Sequence, residues 1–126
     1  MSAAQSFLKI FVAELDRSAA FYAAALGLSP GGRMAAPGFD ELILRPPQGQ
    51  SGGSIVLCCW RDGRALEMGN ANGPIGFSVA DVDAIHDRVV AAGGTSRLAP
   101  RSLGAARLAF VADLDGHVLE LLDLGA

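Results

Sequence analysis

The sequence predicts an α+β fold of two β-α-β-β-β units related by pseudo-twofold symmetry, with curved sheets around a shared cleft. Three observations support this prediction: an internal repeat, an acidic helix start after the first strand of each copy, and short strand-like runs after each helix. The chain has 126 residues, of which 51% are apolar, so a single domain spanning residues 1–126 can bury a substantial core.

The internal repeat relates two segments without a gap. Residues 7–16 align with residues 74–83 at an offset of 67 residues, where three positions are identical and Glu14 meets Asp81. Later in the chain, the repeat matches Leu42 with Leu108 and Leu57 with Glu120. Two copies of a unit of about 60 residues are too few for a solenoid, but they suit a pseudo-twofold domain.

The first unit, at about residues 6–60, begins with an apolar run typical of a strand, at residues 7–13. Glu14 and Asp16 follow it. Carboxylates at a helix start accept free backbone N–H groups, so we expect a helix that runs to about Leu26, with Gly27 as its C-cap. Three more strands are predicted near residues 30–36, 40–45 and 53–60.

The second unit, at about residues 73–123, has the same order of elements. Residues 74–80 predict a strand, and the acidic residues Asp81 and Asp83 mark a helix that ends before Gly93. Three strands are then predicted near residues 95–99, 105–112 and 117–123, with a hairpin turn at residues 113–116 and a linker between the units at residues 61–72.

Charge and hydropathy exclude several classes of function. The net charge is −3 without a basic block, which makes nucleic acid or an anionic membrane surface an unsuitable partner. The first apolar stretch is interrupted by Lys9, is too short to span a membrane and lacks a signal-peptide layout, so we expect a cytoplasmic protein. Cys58 and Cys59 are neighbours whose side chains should lie on opposite faces of a strand, so no mutual disulfide is expected.

Two motifs carry a resemblance to a known family. Residues 15–22 (Leu-Asp-Arg-Ser-Ala-Ala-Phe-Tyr), followed by Leu-Gly-Leu, resemble the first-helix signature of the glyoxalase, bleomycin-resistance and extradiol-dioxygenase family, also called vicinal oxygen chelate. Residues 113–122 resemble its closing motif, a turn followed by a strand that carries Glu. Residues 55–79 are similar to bacterial glyoxalase I. The resemblance implies a homodimer that binds a small molecule.

In the family's metal-dependent members, four positions supply metal ligands. The resemblance places Phe7, Leu57, Pro74 and Glu120 there, and only Glu120 carries a group that binds metals. Because a catalytic metal centre generally needs about three protein ligands, we predict no metal and no other cofactor.

The two histidines are poor substitutes for the missing ligands. His117 lies three residues from Glu120, so it should point to the other face of the strand and be solvated. His86 is expected on the second helix, at the surface or in helix packing.

Strand alternation sorts side chains between the cleft and the core, if Phe7 and Glu120 face the cleft. The cleft set is Lys9, Phe11, Glu41, Ile43, Arg45, Ile55, Cys59, Gly76, Ser78, Arg107, Ala109, Val111, Val118 and Leu122. The core set is Leu8, Ile10, Val12, Leu42, Leu44, Phe77, Val79, Leu108, Phe110, Leu119 and Leu121. The predicted ligand-binding residues are Phe7, Lys9, Phe11, Leu57, Cys59, Trp60, Ser78, Arg107 and Glu120.

Without a metal, Glu120 is an isolated carboxylate on an apolar wall. One hypothesis pairs it with Lys9 or Arg107, whose charge then replaces that of the metal; the alternative leaves Glu120 as an inherited residue surrounded by water.

Trp60 is expected to stack on a planar ligand, to anchor a dimer or to close the sheet edge. Tyr22 is expected to be a packing residue.

Three functions are compatible with these residues. The first is a metal-free protein that binds a small, partly apolar molecule, as antibiotic-sequestering relatives do by resemblance. The second is a lyase or isomerase with Glu120 as catalytic general base, or a metal-dependent member with a non-standard site. The third is a scaffold whose own side chains fill the cleft.

Overall fold

A computed structural model describes residues 1–50 and 52–125. In this part of the chain, the elements follow the order β-α-β-β-β twice, as predicted. Their bounds are β1 Phe7–Phe11, α1 Leu15–Leu26, β2 Ser29–Ala36, β3 Phe39–Arg45, β4 Ser54–Trp60, β5 Ile75–Ser78, α2 Val82–Ala91, β6 Thr95–Leu103, β7 Ala106–Ala112 and β8 Val118–Asp123.

The chain divides into two compact units. Unit 1 comprises Met1–Ala23 and Gly27–Leu66, and unit 2 comprises Ala24–Leu26 together with the chain from Glu67 onward. No helix in the described ranges is long and apolar enough to cross a membrane.

Unit 1 contains a four-stranded sheet in the order β1-β4-β3-β2. β1 runs parallel to β4, and the other two pairs are antiparallel. The three later strands lie within one residue of their predicted bounds. The buried side chains of one sheet face are Ile10, Leu42, Leu44, Ile55 and Leu57.

The ends of α1 follow local sequence signals only in part. Gly27 adopts φ 71° and its N–H donates to the carbonyl of Ala23, so the predicted C-cap is confirmed. Glu14 holds the N-cap position, but its side chain makes no capping hydrogen bond, and its carboxylate lies 3.7 Å from Arg17. Tyr22 is fully buried, as expected of a packing residue.

Unit 2 contains a sheet in the order β5-β8-β7-β6, and α2 packs against β6, β7 and β8. Asp81 caps this helix, because its Oδ1 accepts a hydrogen bond from the N–H of Ala84 at 3.0 Å. β6 extends four residues beyond its predicted end, through irregularities in its pairing with β7 that accommodate Pro100. The sheet residues buried beneath the helix are Ala109, Val111, Leu119 and Leu121.

The predicted turn between β7 and β8 is confirmed. Oδ1 of Asp113 accepts hydrogen bonds from the backbone N–H groups of Asp115, Gly116 and His117 at 2.9 to 3.0 Å. Gly116 adopts φ 103°, which lies in the region that favours glycine.

On the strands after the helices, the observed pairing changes the predicted match between the two units by one residue. Lys9 pairs with Val56 and Gly76 pairs with Glu120. Because Lys9 corresponds to Gly76 in the repeat, Val56 corresponds to Glu120, and the match with Leu57 is wrong. The same argument matches Leu42 with Ala109 instead of Leu108. The offset of 67 residues therefore holds as far as Leu42 and Ala109, whereas Val56 and Glu120 lie 64 residues apart because the loop before the last strand is shorter in unit 2.

Candidate functional site

One face of the unit 1 sheet combines aromatic and charged side chains. Residues that pair across neighbouring strands point to the same side, so the register defines this face. We call it the Lys9 face, and it comprises Phe7, Lys9, Phe11, Phe39, Glu41, Ile43, Val56, Cys58 and Trp60. The predictions for Phe7, Lys9, Phe11, Glu41 and Ile43 therefore agree with a common face.

Three predicted cleft residues on β4 lie on the opposite face. Ile55, Leu57 and Cys59 pair with Leu44, Leu42 and Asp40, so they do not share a face with Lys9. Side chains alternate along a strand, and a shift of one residue therefore reverses every assignment on it. Leu57 is a core residue with no exposed surface. The prediction that its side chain faces the cleft is therefore wrong.

Unit 2 has a corresponding half-buried face, which we call the Glu120 face. It comprises Gly76, Ser78, Leu108, Phe110, Val118, Glu120 and Leu122. Gly76, Ser78, Val118 and Leu122 thus share the face of Glu120 as predicted. The assignments on β7 are reversed, since Leu108 and Phe110 were expected in the core. Arg107, Ala109 and Val111 lie on the side covered by α2.

Arg107 has a structural partner on that side. Its Nε and Nη2 atoms donate to the carboxylate of Asp83 at 2.5 and 2.8 Å. Hydrogen bonding to Arg107 lowers the pKa of Asp83 below its ordinary value. The predicted Glu120–Arg107 pair is therefore wrong, because Arg107 points away from the Glu120 face and stabilises the first turn of α2.

Lys9 also pairs with a carboxylate other than the one expected. Its Nζ lies 2.6 Å from Oε2 of Glu41, and the two side chains are 41% and 7% exposed. The hydrogen bond to Glu41 is the main cause of the raised pKa of Lys9. The ammonium that one hypothesis paired with Glu120 forms its ion pair with Glu41. Strand alternation predicted both side chains on one face, but only the assembled order β1-β4-β3 brings them together.

Three aromatic rings form a cluster on the Lys9 face. Phe11 stacks on Trp60 with ring centroids 4.3 Å apart and an interplanar angle of 13°. Phe39 meets both rings edge-on, at 5.2 and 5.5 Å. The guanidinium of Arg64 lies 4.0 Å from the centroid of Trp60. Phe11 and Arg64 therefore cover opposite faces of the indole, since two groups at such distances do not fit on one face.

Arg64 is held by a second interaction at the end of this cluster. Its Nε and Nη2 atoms donate to the Asp62 carboxylate, with the shortest contact at 2.6 Å. The hydrogen bonds from Arg64 lower the pKa of Asp62 to about 2. Asp62 thus stays ionised at neutral pH and fixes the guanidinium above Trp60.

The adjacent cysteines have different environments on opposite faces of β4, as predicted. Cys58 is fully buried, and its Sγ lies 3.8 Å from Oε2 of Glu41. Burial, followed by the charge of Glu41, raises the pKa of Cys58 to about 11, so the thiol is neutral at physiological pH. Cys59 is partly buried, with Sγ 3.3 Å from the carbonyl oxygen of Ala13. Neither cysteine is in a disulfide.

The histidines occupy structural positions. His86 lies on α2 with its side chain 12% exposed, and its Nε2 is 2.7 Å from Oγ of Ser96. This agrees with its predicted role in helix packing. His117 is half-buried just before β8, where its backbone N–H donates to Asp113, so it is less solvated than expected.

The residues at the family's ligand positions do not fit a metal ion. The corrected register places Phe7, Val56, Pro74 and Glu120 at these positions, and only Glu120 has a donor atom. Across residues 1–50 and 52–125, no group of three or more His, Cys, Asp or Glu side chains is arranged to hold a metal. The side chains at these positions therefore do not provide the three or so ligands that a catalytic metal generally needs.

Comparison with known proteins identifies the family. Residues 4–121 match the Glyoxalase/Bleomycin resistance protein/Dioxygenase superfamily, and the chain belongs to it. The resemblance inferred from the sequence motifs is thereby confirmed.

Three similar proteins illustrate how close the chain is to other sequences and structures. A Vibrio cholerae protein named probable lactoylglutathione lyase is 33% identical over 115 residues, which cover 88% of this chain and 83% of that protein. Trypanothione-dependent glyoxalase I of Leishmania major has a TM-score of 0.83 at 25% identity, covering 98% of this chain and 88% of its own. Glyoxalase I of Zea mays has a TM-score of 0.79 at 20% identity, covering 92% of this chain. This chain spans only 43% of the maize enzyme, and that likeness concerns the fold alone.

Proposed function

We propose that this protein binds a small, partly apolar molecule on the Lys9 face of unit 1, without a metal ion. One observation carries the proposal: an aromatic cluster on a sheet face adjoins a half-exposed ammonium that a buried carboxylate holds in place. Ligand sites generally combine apolar and aromatic surface with a few placed polar groups.

The exposed parts of this face support the proposal. The ring of Phe7 is 46% exposed, and its centroid lies 5.5 Å from Nζ of Lys9. Phe39 is half-buried, with its centroid 5.7 Å from the same atom. The ammonium thus lies close to two rings, where a ligand meets an apolar surface and a charge together. Phe11 and Trp60 pack against Phe39 and complete the proposed site.

The Glu120 face of unit 2 is proposed as a second, separate ligand-binding surface. Ser78 and Glu120 lie on this half-exposed surface with Phe110, and the space above Gly76 is open to a side-chain atom. Sequestration of a bulky natural product is the form of binding that the family resemblance suggests. A homodimer and a cytoplasmic location remain part of this proposal.

A second candidate function is a lyase or isomerase that uses Glu120 as general base. The 33% identity to a probable lactoylglutathione lyase favours it. Glu120 is half-buried and shares its sheet face with Phe110 and Leu122, so its side chain is in part accessible from solvent. A general base has to lie within hydrogen-bond reach of the substrate proton that it removes.

Two measurements test the proposal together. We expect elemental analysis after soaking with nickel, zinc, manganese and iron to find less than one metal per chain. We also expect the fluorescence of Trp60, the single tryptophan, to change when an aromatic ligand binds. If the protein catalyses the lactoylglutathione lyase reaction and Glu120→Gln abolishes that turnover, the result would contradict the binding function. It would establish the lyase function instead. Glu67→Gln, a substitution outside the helices and strands, is the matched control.

A further inference from the structure

We infer that the ligand carries a compact anionic group, such as a carboxylate, on an aromatic body, and that Lys9 binds this anion. The inference rests on the proposed binding function and specifies its ligand class. It follows from the geometry of the Lys9–Glu41 pair and from the rings beside it.

The two members of the ion pair differ in their access to solvent. The Glu41 side chain is 7% exposed, whereas that of Lys9 is 41% exposed. A molecule that approaches this face therefore meets the ammonium first and the carboxylate last. Glu41 acts as a positioning residue, because its contact at 2.6 Å fixes the ammonium at one point of the face.

The ammonium retains hydrogen-bonding capacity in this position. A lysine ammonium has three N–H donors and no acceptor. Oε2 of Glu41 takes one of them at 2.6 Å. The remaining donors suit a second acceptor from solvent, and an anionic acceptor forms the stronger, charge-assisted bond.

The surroundings of Nζ indicate what the anion is attached to. The centroids of Phe7 and Phe39 lie 5.5 and 5.7 Å from Nζ. Phe39 in turn packs edge-on against Trp60, with ring centroids 5.5 Å apart. An aromatic ring attached to the anion meets these rings at favourable distances for edge-to-face or offset packing.

A second cation lies at the other end of the same cluster. Arg64 lies over Trp60 and uses Nε and Nη2 for Asp62, so its Nη1 group is directed elsewhere. The side chain of Arg64 is 54% exposed, so it too is accessible from solvent.

A cationic ligand, by contrast, reaches the buried Glu41 only after it displaces Lys9.

Three naphthalene probes test this inference by isothermal titration calorimetry. They are 2-naphthoate, its neutral isostere 2-naphthamide and the cation 2-naphthylmethylammonium. We expect 2-naphthoate to bind about tenfold more tightly than the amide, the range of one charge-assisted hydrogen bond. The double variant Lys9→Met/Glu41→Gln removes both charges together, so no buried carboxylate loses its partner. It should abolish the difference in affinity between 2-naphthoate and 2-naphthamide.

Two further variants serve as controls. Arg17→Met removes one positive charge on the exposed surface of α1 and should retain the tenfold preference. Lys9→Gln/Glu41→Gln repeats the test with a polar replacement, in case the methionine disturbs the fold.

The other outcomes separate this inference from the proposed function. Equal affinity for 2-naphthoate and the amide would overturn the inference but leave the binding function standing. Tighter binding of the ammonium probe would overturn it in favour of Glu41 as the recognition group. A preference for 2-naphthoate that persists in the double variants would assign the anion to another residue. Failure of all three probes to bind would overturn both proposals.

Discussion

Lys9 and Glu41 form an ion pair across β4, the strand that lies between theirs in the sheet. Glu41 pairs in register with Cys58, and its Oε2 lies 3.8 Å from the buried Sγ of that residue. The interaction joins β1 to β3, two strands that share no backbone hydrogen bonds. The ion pair therefore connects β1 and β3 through their side chains. It also holds the Lys9 ammonium in one position on the proposed binding face.

Lys9→Met should destabilise the protein more than Glu41→Gln does, and more than both changes together. The single lysine variant leaves a carboxylate buried without its cation, whereas the glutamate variant leaves an ammonium that water can solvate. The urea midpoints of the four proteins form a double-mutant cycle that measures this coupling. Additive effects of the two substitutions would show that the pair contributes nothing to stability.

Leu57→Ala should lower the free energy of unfolding by about 2–5 kcal/mol, because the side chain is fully buried in the core of unit 1. Leu103→Ala is the matched control: that leucine on β6 is 62% exposed, and its truncation should change stability by less than about 0.5 kcal/mol. Chemical denaturation measures both. Similar losses in the two variants would contradict the assignment of Leu57 to the core face.

The elements of this fold are predictable because short-range signals specify them. Asp81 caps a helix, Gly27 ends one, and Asp113 closes a turn, and each acts within four residues of its own position. Such contacts need no knowledge of which strands become neighbours. For that reason the order of elements and most of their bounds follow from the sequence.

The candidate site is less predictable because it depends on register. Side chains alternate with a period of two, so matching Glu120 with Leu57 instead of Val56 reverses a whole strand. The partner of Lys9 also depends on register, because Glu41 becomes a neighbour only when β1, β4 and β3 align. Long-range pairing of this kind is a property of the assembled sheet and has no local sequence signal.

The stability of the protein should fall as the pH rises from about 9 to about 11. The thiol of Cys58 has an ordinary pKa of 9.0, and burial raises it to about 11 in the folded protein. Between these values the unfolded chain loses a proton that the folded protein keeps, so unfolding becomes more favourable. Above pH 10.5 the raised pKa of Lys9 adds a loss in the same direction.

Urea midpoints measured from pH 8 to 11 check this pH dependence. Cys58→Ala should flatten the profile between pH 9 and the onset of the lysine titration. Leu103→Ala, which removes no titratable group from an exposed position, is the control and should keep the full slope. A profile that Cys58→Ala leaves unchanged would assign the alkaline loss to other groups.

Asp113→Ala should lower the free energy of unfolding by about 2–3 kcal/mol, because one nearly buried carboxylate oxygen accepts three backbone N–H groups. Asp113→Asn keeps an acceptor oxygen at the same place and should lose less. Asp81→Ala removes a single capping bond and should lose about 1 kcal/mol. Denaturant unfolding of the three variants gives the ranking. Equal losses for the two alanine variants would mean that the network of Asp113 adds no more than an ordinary helix cap.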